Sequence, residues 1–237
     1  MPSSLRGASV LLTGGSRGIG RAVAEAVAEA GGAVHVLCRD PSSVSDVAAA
    51  SGGSVWPVDL SDDVAVWSSI DALMERLGGP PTAIVNSAGA FTIAPLAETS
   101  VVEFDQMLSI NLRGAFLVIR AALPSLLERG AGRIINIGSV AGRRGFPGNG
   151  AYAASKFGLR GLHEVLVEEL RGSGVGATLV EPAATDTSLW DPLDPDNDPA
   201  LPPRSAMLQP ADVADSVLFV LTRPEHVRIP LLQIERG

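Results

Sequence analysis

The sequence is poor in the residues on which many protein chemistries depend. Its 237 residues include one cysteine, three histidines and only 4% aromatic side chains. A single cysteine, Cys38, excludes an internal disulfide. The histidines are scattered and lack the spacing of a zinc site, so we expect no metal centre. So few aromatic residues offer no stacking platform for a single-stranded nucleic acid.

Positive charge is scarce as well. The formal net charge is -8, which would repel a nucleic-acid backbone or an anionic membrane. No apolar run reaches the length of a membrane span, and the amino-terminal stretch MPSSLRGASVLLTGG lacks the apolar core of a secretion signal. We therefore expect a cytoplasmic protein without nucleic-acid or membrane partners.

Short apolar runs alternate with longer stretches of helical periodicity along the chain. Apolar strands without polar alternation are typical of a sheet covered on both faces, and strand-helix alternation favours parallel strands with right-handed crossovers. We predict an α/β fold, a doubly wound Rossmann-type parallel sheet of about seven strands, in a single domain over residues 1–237. The predicted strands are residues 9–13, 33–38, 54–58, 82–85, 133–137, 176–180 and 229–234, and the predicted helices are residues 21–29, 64–77, 104–127, 153–171 and 211–222, with Pro124 expected to interrupt or kink the third helix.

One segment breaks this alternation. Residues 190–203 (WDPLDPDNDPALPP) hold five of the 17 prolines, a composition that favours an irregular loop. The segment follows a predicted strand that ends near Glu181, and open α/β sheets bind ligands at the carboxyl ends of their strands. We interpret it as a lid on the substrate side, with a plain surface loop as the alternative.

A glycine-rich turn follows the first predicted strand. It reads Thr13-Gly14-Gly15-Ser16-Arg17-Gly18-Ile19-Gly20 and opens into an alanine-rich helix. Glycines let a backbone approach a pyrophosphate closely, and the helix amino terminus offers free N–H groups and the positive end of its dipole. Between a strand and a helix, this turn indicates a dinucleotide site.

The end of the second predicted strand bears on which dinucleotide would bind. A ribose 2′-hydroxyl requires an acidic acceptor there, whereas a 2′-phosphate requires a cation. Arg39 lies next to this place, and Arg17 of the glycine turn could reach the same phosphate, which favours NADP(H) over NAD(H). Asp40 leaves the alternative open, because its carboxylate could pair with Arg39 or accept from a ribose hydroxyl.

The one tyrosine and the one lysine of the chain stand four residues apart, in the sequence Tyr152-Ala-Ala-Ser-Lys156. All other basic side chains of the Lys and Arg type are arginines, so a lone lysine suggests a need for a compact ammonium group with a tunable pKa. On a helix, residues four apart share a face. A neighbouring ammonium would lower the tyrosine pKa from about 10 and make the phenol a usable acid or base.

These motifs resemble those of the short-chain dehydrogenase/reductase family over nearly the whole chain, in particular its 3-oxoacyl reductase-like and carbonyl reductase-like members. The glycine turn is similar to the family's Thr-Gly-x-x-x-Gly-x-Gly sequence, and residues 86–89 (NSAG) are similar to its Asn-Asn-Ala-Gly sequence. Ser139, Tyr152 and Lys156 match the family's catalytic residues, with thirteen positions from the serine to the tyrosine.

The resemblance implies a role for each matching residue. It assigns catalysis to Asn111, Ser139, Tyr152 and Lys156, and it places Asp59 where the family holds the adenine. The cofactor-binding residues expected from the turn, the strand ends and the family pattern are Gly14, Ser16, Arg17, Gly18, Ile19, Gly20, Arg39, Asp59, Leu60, Asn86, Ala88, Gly89, Tyr152, Lys156, Pro182, Thr185 and Thr187.

The sequence departs from the family pattern in three places. Ser87 replaces the second asparagine, and Ala183 replaces the glycine of the segment that begins at Pro182. The carboxyl end, residues 230–237, lacks the family's glycine-rich closing segment. The first two changes bear on backbone contacts around the nicotinamide, and the third bears on the contacts of the usual tetramer.

The resemblance also implies a reaction. In the reducing direction NADPH would deliver a hydride to a carbonyl carbon, while Tyr152 gives a proton to the oxygen. Lys156 would lower the tyrosine pKa and hold the nicotinamide ribose. Ser139 would donate a hydrogen bond to the carbonyl oxygen, and Asn111 would hold a water that links Lys156 to solvent.

The substrate is expected to be a small-molecule ketone, a 3-oxoacyl compound or the corresponding secondary alcohol. By the family's habit, the protein would form a homodimer or homotetramer. The alternative is a catalytically silent NADP(H)-binding regulator or scaffold on the same fold. The residues expected to line a mainly apolar pocket are Phe91, Ala141, Arg143, Phe146, Asn149, Leu189 and Trp190.

Overall fold

A single sheet of seven parallel strands organises the molecule, in a computed structural model that describes residues 4–237. The first three residues of the amino-terminal stretch lie outside the described residues. The strand order β3-β2-β1-β4-β5-β6-β7 confirms the predicted doubly wound fold, since the chain builds outward from β1 in one direction and then in the other. The strands are β1 (Ser9–Thr13), β2 (Ala33–Cys38), β3 (Ser54–Pro57), β4 (Ala83–Asn86), β5 (Gly132–Ile137), β6 (Val175–Pro182) and β7 (Leu231–Ile234).

Helices cover both faces of this sheet, and each face has its own apolar core. Val27 of α1 and Val217 of α7 are buried in the core on one face. Ile70 of α3, Val118 of α5 and Leu166 of α6 are buried in the core on the other face. The strands are apolar on both sides because both sides are covered. The helices are α1 (Gly18–Glu29), α2 (Ser45–Ala50), α3 (Asp63–Leu77), α4 (Val101–Leu108), α5 (Gly114–Arg129), α6 (Gly150–Glu169) and α7 (Pro210–Leu221).

The third predicted helix, residues 104–127, is longer and less regular than the sequence indicated. α4 and α5 are joined through a π-helical turn, Ser109–Arg113, into one continuous helix. Pro124 does not interrupt it, since α5 continues to Arg129. The short α2 was not predicted, because its few residues carry too little periodicity to be read from the sequence.

The same continuous helix corrects the expectation that no segment has the length of a membrane span. Residues Val101–Arg129 are long enough and apolar enough to cross a membrane, by length and composition. Half of their most apolar part is buried inside the protein, where Leu117, Val118 and Leu126 belong to the core. Its apolar character is therefore that of a core helix, and no other helix within residues 4–237 meets the same test.

A chain of polar side chains crosses the core near the carboxyl ends of the strands. Asn86 of β4 donates through Nδ2 to Oδ1 of Asn136 on β5 over 2.9 Å, and Nδ2 of Asn136 lies 3.2 Å from Nδ1 of His163 on α6. Nε2 of His163 lies 2.9 Å from the carbonyl oxygen of Pro230. Because a carbonyl only accepts, Nε2 carries the proton and Nδ1 accepts from Asn136. A neutral imidazole thus ties α6 to the segment that enters β7.

We predict that this histidine makes stability depend on pH. Burial lowers the pKa of His163 and also that of His35. The unfolded chain then binds these protons more tightly, so stability is lost as the pH falls below about 6.5. In urea denaturation, the free energy of unfolding should fall between about pH 7.5 and about pH 5.5, and His163→Gln should reduce this fall.

The exposed His226 provides the matched control. His226→Gln should keep the pH dependence of the wild type, because its side chain is already in water. An unchanged slope in His163→Gln would contradict the prediction.

Candidate active site

Most of the predicted site residues lie near the carboxyl ends of four neighbouring strands, whereas Arg39 and Asp59 follow β2 and β3. β1 ends at Thr13, β4 at Asn86, β5 at Ile137 and β6 at Pro182. β1 and β4 are adjacent at the point where the strand order reverses. Open α/β sheets bind ligands in the crevice at this point. The topology therefore brings the glycine turn, residues 86–89 and the segment after β6 to one edge of the sheet.

The glycine turn packs too closely against its neighbours for larger side chains. Gly14 has a φ of +72°, and a Cβ at this position would lie 2.5 Å from Cα of Ala88. A Cβ on Gly20 would collide with the carbonyl oxygen of Gly14, and a Cβ on Gly18 would lie 3.0 Å from Cγ2 of Thr187. The glycines thus allow the turn to pack against Ala88 of residues 86–89 and against Thr187 of the segment after β6.

Backbone donors line the same turn. Arg17 is the N-cap residue of α1, and its side chain makes no capping hydrogen bond, so the first N–H groups of α1 have no side-chain partner there. Thr13 Oγ1 accepts from the N–H groups of Ser87 and Ala88, each over 3.2 Å, which fixes that segment beside the turn. This cradle fits a dinucleotide, because a pyrophosphate binds free amides at a helix amino terminus.

The charged residues at the end of β2 differ in what they bind. Arg17 and Arg39 are exposed, and neither guanidinium forms an ion pair or a hydrogen bond with residues 4–237. Asp40 caps the turn after β2, where its Oδ1 accepts from the N–H and the hydroxyl of Ser42 over 3.0 and 2.7 Å. The carboxylate of Asp40 is therefore directed at Ser42 and does not pair with Arg39.

Asp59, expected at the adenine, lies exposed just beyond β3. Its Oδ1 accepts from the N–H and the hydroxyl of Ser61 over 2.9 and 2.8 Å. These two hydrogen bonds, and in smaller part the charge of Arg39, lower the pKa of Asp59. The neighbouring Leu60 is buried against Gly114 at the start of α5. Asp59 and Arg39 thus lie near each other at the outer end of the crevice.

The remaining predicted cofactor residues differ in burial and in the groups that they contact. Ser16 is half-buried within the glycine turn, and Ile19 packs on the core beneath α1. Gly89 lies beside Oδ1 of Asn111. Thr185 is buried after β6 and donates through Oγ1 to the carbonyl oxygen of Ala183 over 3.0 Å.

Tyr152 and Lys156 lie on one face of α6, as their spacing predicts. The Lys156 side chain is 5% exposed, and its Nζ donates to the carbonyl oxygen of Ile137 over 2.9 Å. Nζ lies 5.7 Å from the centroid of the Tyr152 ring. The pair is therefore fixed to the end of β5, at the same edge as the glycine turn.

Burial dominates the electrostatics of this pair. It lowers the pKa of Lys156 to about 8. It also raises the pKa of Tyr152, against a smaller lowering by hydrogen bonding with Ser139. The predicted lowering of the tyrosine pKa by Lys156 is therefore wrong for this structure, because desolvation of the phenol outweighs the attraction of its neighbours.

Ser139 lies directly after β5 and begins the turn that faces α6. Its Oγ accepts from the N–H of Ala141 over 3.1 Å and so caps the short helical turn Val140–Gly142. A Cβ on Gly142 would lie 2.9 Å from the carbonyl oxygen of Lys156, which shows how closely this turn packs on α6. Ser139 is thereby held next to the phenol of Tyr152.

Asn111 lies within the π-helical turn between α4 and α5 and is 1% exposed. Its Oδ1 accepts from the N–H of Ala90 over 2.7 Å, and its Nδ2 donates to Oγ of Ser155 over 2.9 Å. Single π-helical turns are frequent at functional sites. Asn111 thus joins the loop after Gly89 to α6 through Ser155, a residue that the sequence reasoning did not single out.

An aromatic cluster forms the wall in front of the phenol. The ring of Phe91 meets the Tyr152 ring edge to face, with centroids 4.9 Å apart. The centroid of the Trp190 ring lies 4.8 Å from that of the Phe91 ring. Nε1 of Trp190 donates to the carbonyl oxygen of Thr185 over 3.1 Å. The beginning of the 190–203 segment therefore lies against Phe91, which contacts the tyrosine ring, and against the expected cofactor segment.

The 190–203 segment is also held at its far end. Arg204 pairs with Asp186 over 2.5 Å and with Asp191 over 2.6 Å. Asp186 stands between Thr185 and Thr187, two of the expected cofactor residues. Single-sequence reasoning missed this clamp, since its partners are separated by 13 and 18 positions and follow no local pattern.

Arg143, expected to line the pocket, is directed elsewhere. Its guanidinium pairs with Glu235 over 2.5 Å and lies 3.7 Å from the buried carboxylate of Glu181. Glu181 also accepts from Arg160 of α6 over 2.8 Å. The expectation is corrected, because two carboxylates hold Arg143 and tie the loop after Ser139 to the carboxyl end of the chain.

The fold agrees with a comparison against known families. The chain matches the short chain dehydrogenase family over residues 8–198, a range that includes the glycine turn, Asn111, Ser139, Tyr152 and Lys156. It belongs to the short-chain dehydrogenase family. The predicted family membership and Rossmann-type fold are thereby confirmed.

Relatives of this chain cover nearly its whole length. An uncharacterised oxidoreductase of Staphylococcus aureus is 30% identical over 222 residues, which cover 92% of this chain and 93% of that protein. Glycine betaine reductase of Emericella nidulans is 34% identical over 240 residues, 98% of this chain but 19% of that much longer protein. A crystal structure of a metagenomic short-chain oxidoreductase in complex with NADP aligns with a TM-score of 0.82, 30% identity and 99% coverage of both chains.

We predict that the buried ammonium of Lys156 lowers the stability of the protein. A pKa of about 8 for Lys156 in the folded chain, against about 10.4 when unfolded, means that stability is lost as the pH falls through this window. Lys156→Met should therefore raise the free energy of unfolding near neutral pH by about 1–3 kcal/mol in urea denaturation. The gain should shrink towards about pH 10, where the wild-type amine is losing its proton.

Arg171→Met is the control for this prediction. The Arg171 side chain is 75% exposed and makes one surface pair with Glu168, so its loss should change stability by less than about 0.5 kcal/mol. A Lys156→Met variant less stable than the wild type would show that the ammonium does not destabilise the fold.

Proposed function

We propose that this short-chain dehydrogenase is an NADP(H)-dependent enzyme that interconverts a carbonyl compound and a secondary alcohol. The observation that carries the proposal is the position of Tyr152 and Lys156. The only tyrosine and the only lysine of the chain share one face of α6, and Lys156 is fixed to the end of β5 at the edge that holds the glycine turn. A structural role would not require both residue types at this edge.

The cofactor would lie across the crevice between β1 and β4. Its pyrophosphate would bind the N–H groups of Gly18–Gly20 at the start of α1. The adenine would lie near Asp59 and Leu60, and the nicotinamide would lie between the Thr185–Thr187 segment and Tyr152. When bound, NADP(H) supplies or accepts the hydride.

The side chains of the site would donate the proton that the carbonyl oxygen accepts and then replace it. Burial raises the pKa of Tyr152, so the phenol keeps its proton until the carbonyl oxygen gains electron density and accepts it. The hydroxyl of Ser139, held beside the phenol, would donate a hydrogen bond to the same oxygen. Lys156, with its pKa lowered to about 8, would return a proton to Tyr152, and the Asn111 contacts to Ala90 and Ser155 would keep α6 in position.

Two free guanidinium groups favour NADP(H) over NAD(H). Arg17 and Arg39 lie at the mouth of the crevice and have no ion-pair partner among residues 4–237. Asp40, the residue that could have favoured a 2′-hydroxyl, is bound to Ser42. Unpaired guanidiniums are suited to a 2′-phosphate. The NADP in the metagenomic relative is in keeping with this choice.

The assembly is proposed to be a homodimer or homotetramer. The outer faces of α5 and α6 expose Phe116, Phe157 and Val165, with 42%, 47% and 56% of their surface accessible. Apolar side chains on two neighbouring helices are suited to a contact with a second copy. A small-molecule substrate would enter from the other side, past Trp190.

We predict that Tyr152→Phe abolishes carbonyl reduction and leaves cofactor binding intact. Removal of the phenolic proton donor should lower turnover by at least about 100-fold. NADPH consumption over a panel of ketones, thioesters and sugars measures turnover, and quenching of tryptophan fluorescence measures NADPH binding. Wild-type turnover in Tyr152→Phe would overturn the mechanism, and NADPH binding without any reduction by the wild type would favour a silent regulator.

We predict that the two free arginines set the cofactor preference. Arg17→Ala and Arg39→Ala should each lower kcat/KM for NADPH about tenfold or more, because each removes a charge-assisted contact with the 2′-phosphate, and should leave kcat/KM for NADH nearly unchanged. Arg120→Ala is the control, since Arg120 stacks on Trp67 away from the crevice. A wild type at least about tenfold more efficient with NADH would refute the assignment.

A further inference from the structure

A buried amide at the start of the catalytic helix has no partner. Asn149 is 8% exposed, and its Oδ1 is buried without a hydrogen bond. Its Nδ2 also makes no hydrogen bond with residues 4–237. The Nδ2 atoms of Asn86, Asn111 and Asn136, by contrast, each have a hydrogen-bond partner. Buried amide oxygens are nearly always paired in folded proteins, so an exception at an active site needs a reason.

A structural role does not supply that reason. Asn149 is the N-cap residue of α6, a position where asparagine commonly accepts from the helix N–H groups, yet its side chain makes no such bond. Only its backbone is used: its carbonyl accepts from Ala153 over 2.7 Å, and its N–H donates to Phe146 over 3.2 Å. An alanine could make the same two bonds. The side chain is therefore free for a ligand.

The position of Asn149 indicates that the ligand of its side chain would be the substrate. Residues 149, 152 and 156 follow the i, i+3, i+7 spacing that places them on one face of a helix. Asn149 is thus one turn before Tyr152 in the same stripe as Lys156. Its backbone also bridges to Ala94, in the loop that begins at Phe91, so it lies between the two segments that border the phenol.

We propose that Asn149 is a specificity-determining residue that binds a hydroxyl group of the substrate next to the reacting carbonyl. This proposal rests on the carbonyl reduction proposed above and names the substrate class, an uncharged hydroxy-ketone or polyol. A hydroxyl can donate to Oδ1 and accept from Nδ2, so it pairs the amide in either orientation. An anionic substrate group is disfavoured, because Arg143, the cation expected in the pocket, is already held by Glu181 and Glu235. A cationic group is disfavoured because a neutral amide cannot compensate its charge.

The rest of the pocket accords with a small molecule of this type. Phe91 and Trp190 provide an apolar wall for the carbon skeleton. A site built to pair a hydroxyl rejects an analogue without it more strongly than an apolar pocket rejects a missing methylene, because the amide is then left buried and unpaired. Asn149 would thus discriminate by the hydroxyl, and Tyr152 would act on the carbonyl.

The test compares matched ketones that differ by one hydroxyl: 2-butanone with 1-hydroxy-2-butanone and 4-hydroxy-2-butanone, and cyclohexanone with 2-hydroxycyclohexanone. The ratio of kcat/KM between the hydroxylated and the plain ketone should exceed about tenfold in the wild type for at least one pair. Asn149→Leu should lower this ratio about tenfold or more, mainly through the hydroxylated partner, whereas Asn149→Asp, which keeps the acceptor, should restore part of it.

Two controls separate recognition from a structural effect. Gln106→Leu replaces an exposed amide on α4 and should leave the ratio unchanged. The thermal midpoint of Asn149→Leu should stay close to that of the wild type, since the amide has no protein partner to lose. If leucine prevents folding, Asn149→Ala carries the same test.

Each outcome has a distinct meaning. A wild-type ratio in the folded Asn149 variant, or no preference for a hydroxyl in any wild-type pair, overturns the role of Asn149 and leaves carbonyl reduction intact. No reduction of any ketone by the wild type instead removes the proposed function, and this inference with it.

Discussion

The hydrogen bond between the ammonium of Lys156 and the carbonyl of Ile137 is the contact on which the site depends. It joins the face of α6 that carries Tyr152 to the end of β5, and β5 is held on both sides by its register with β4 and β6. The ammonium is desolvated and gains only one protein acceptor, so the fold stabilises it poorly. The packing of the sheet and helices therefore offsets the cost of burying this hydrogen bond, and burial keeps the pKa of the amine lowered.

The two sides of the crevice are built from different interactions. On the cofactor side, glycines and backbone N–H groups pack against Ala88 and Thr187 with no room for change. On the substrate side, Arg204 and Arg143 hold their loops through ion pairs that are partly exposed, and such pairs are individually weak. The side expected to hold the cofactor is therefore fixed, whereas the side expected to face the substrate can adjust.

The sequence predicts what is local and misses what depends on distant contacts. The strands, the glycine turn and the face shared by Tyr152 and Lys156 follow from periodicity and short spacing, and the structure agrees with them. The clamp of Arg204, the bond from Asn111 to Ser155 and the turning of Arg143 towards Glu235 join residues far apart in the chain. The pKa of Tyr152 is raised where the sequence predicted a lowering, because desolvation depends on the assembled core and not on local spacing.

The π-helical turn at Ser109–Arg113 has a consequence for how this chain can vary. Such a turn accommodates one more residue than an α-helical turn, and each residue rotates a helix by about 100°. Deleting a single residue there would let a regular helix form and would rotate Asn111 relative to Ala90 and Ser155. The outward side of α5 would rotate with it and present other side chains to solvent. Chain length is therefore constrained in these few positions together with the identity of Asn111, unlike in the surface loops of the same protein.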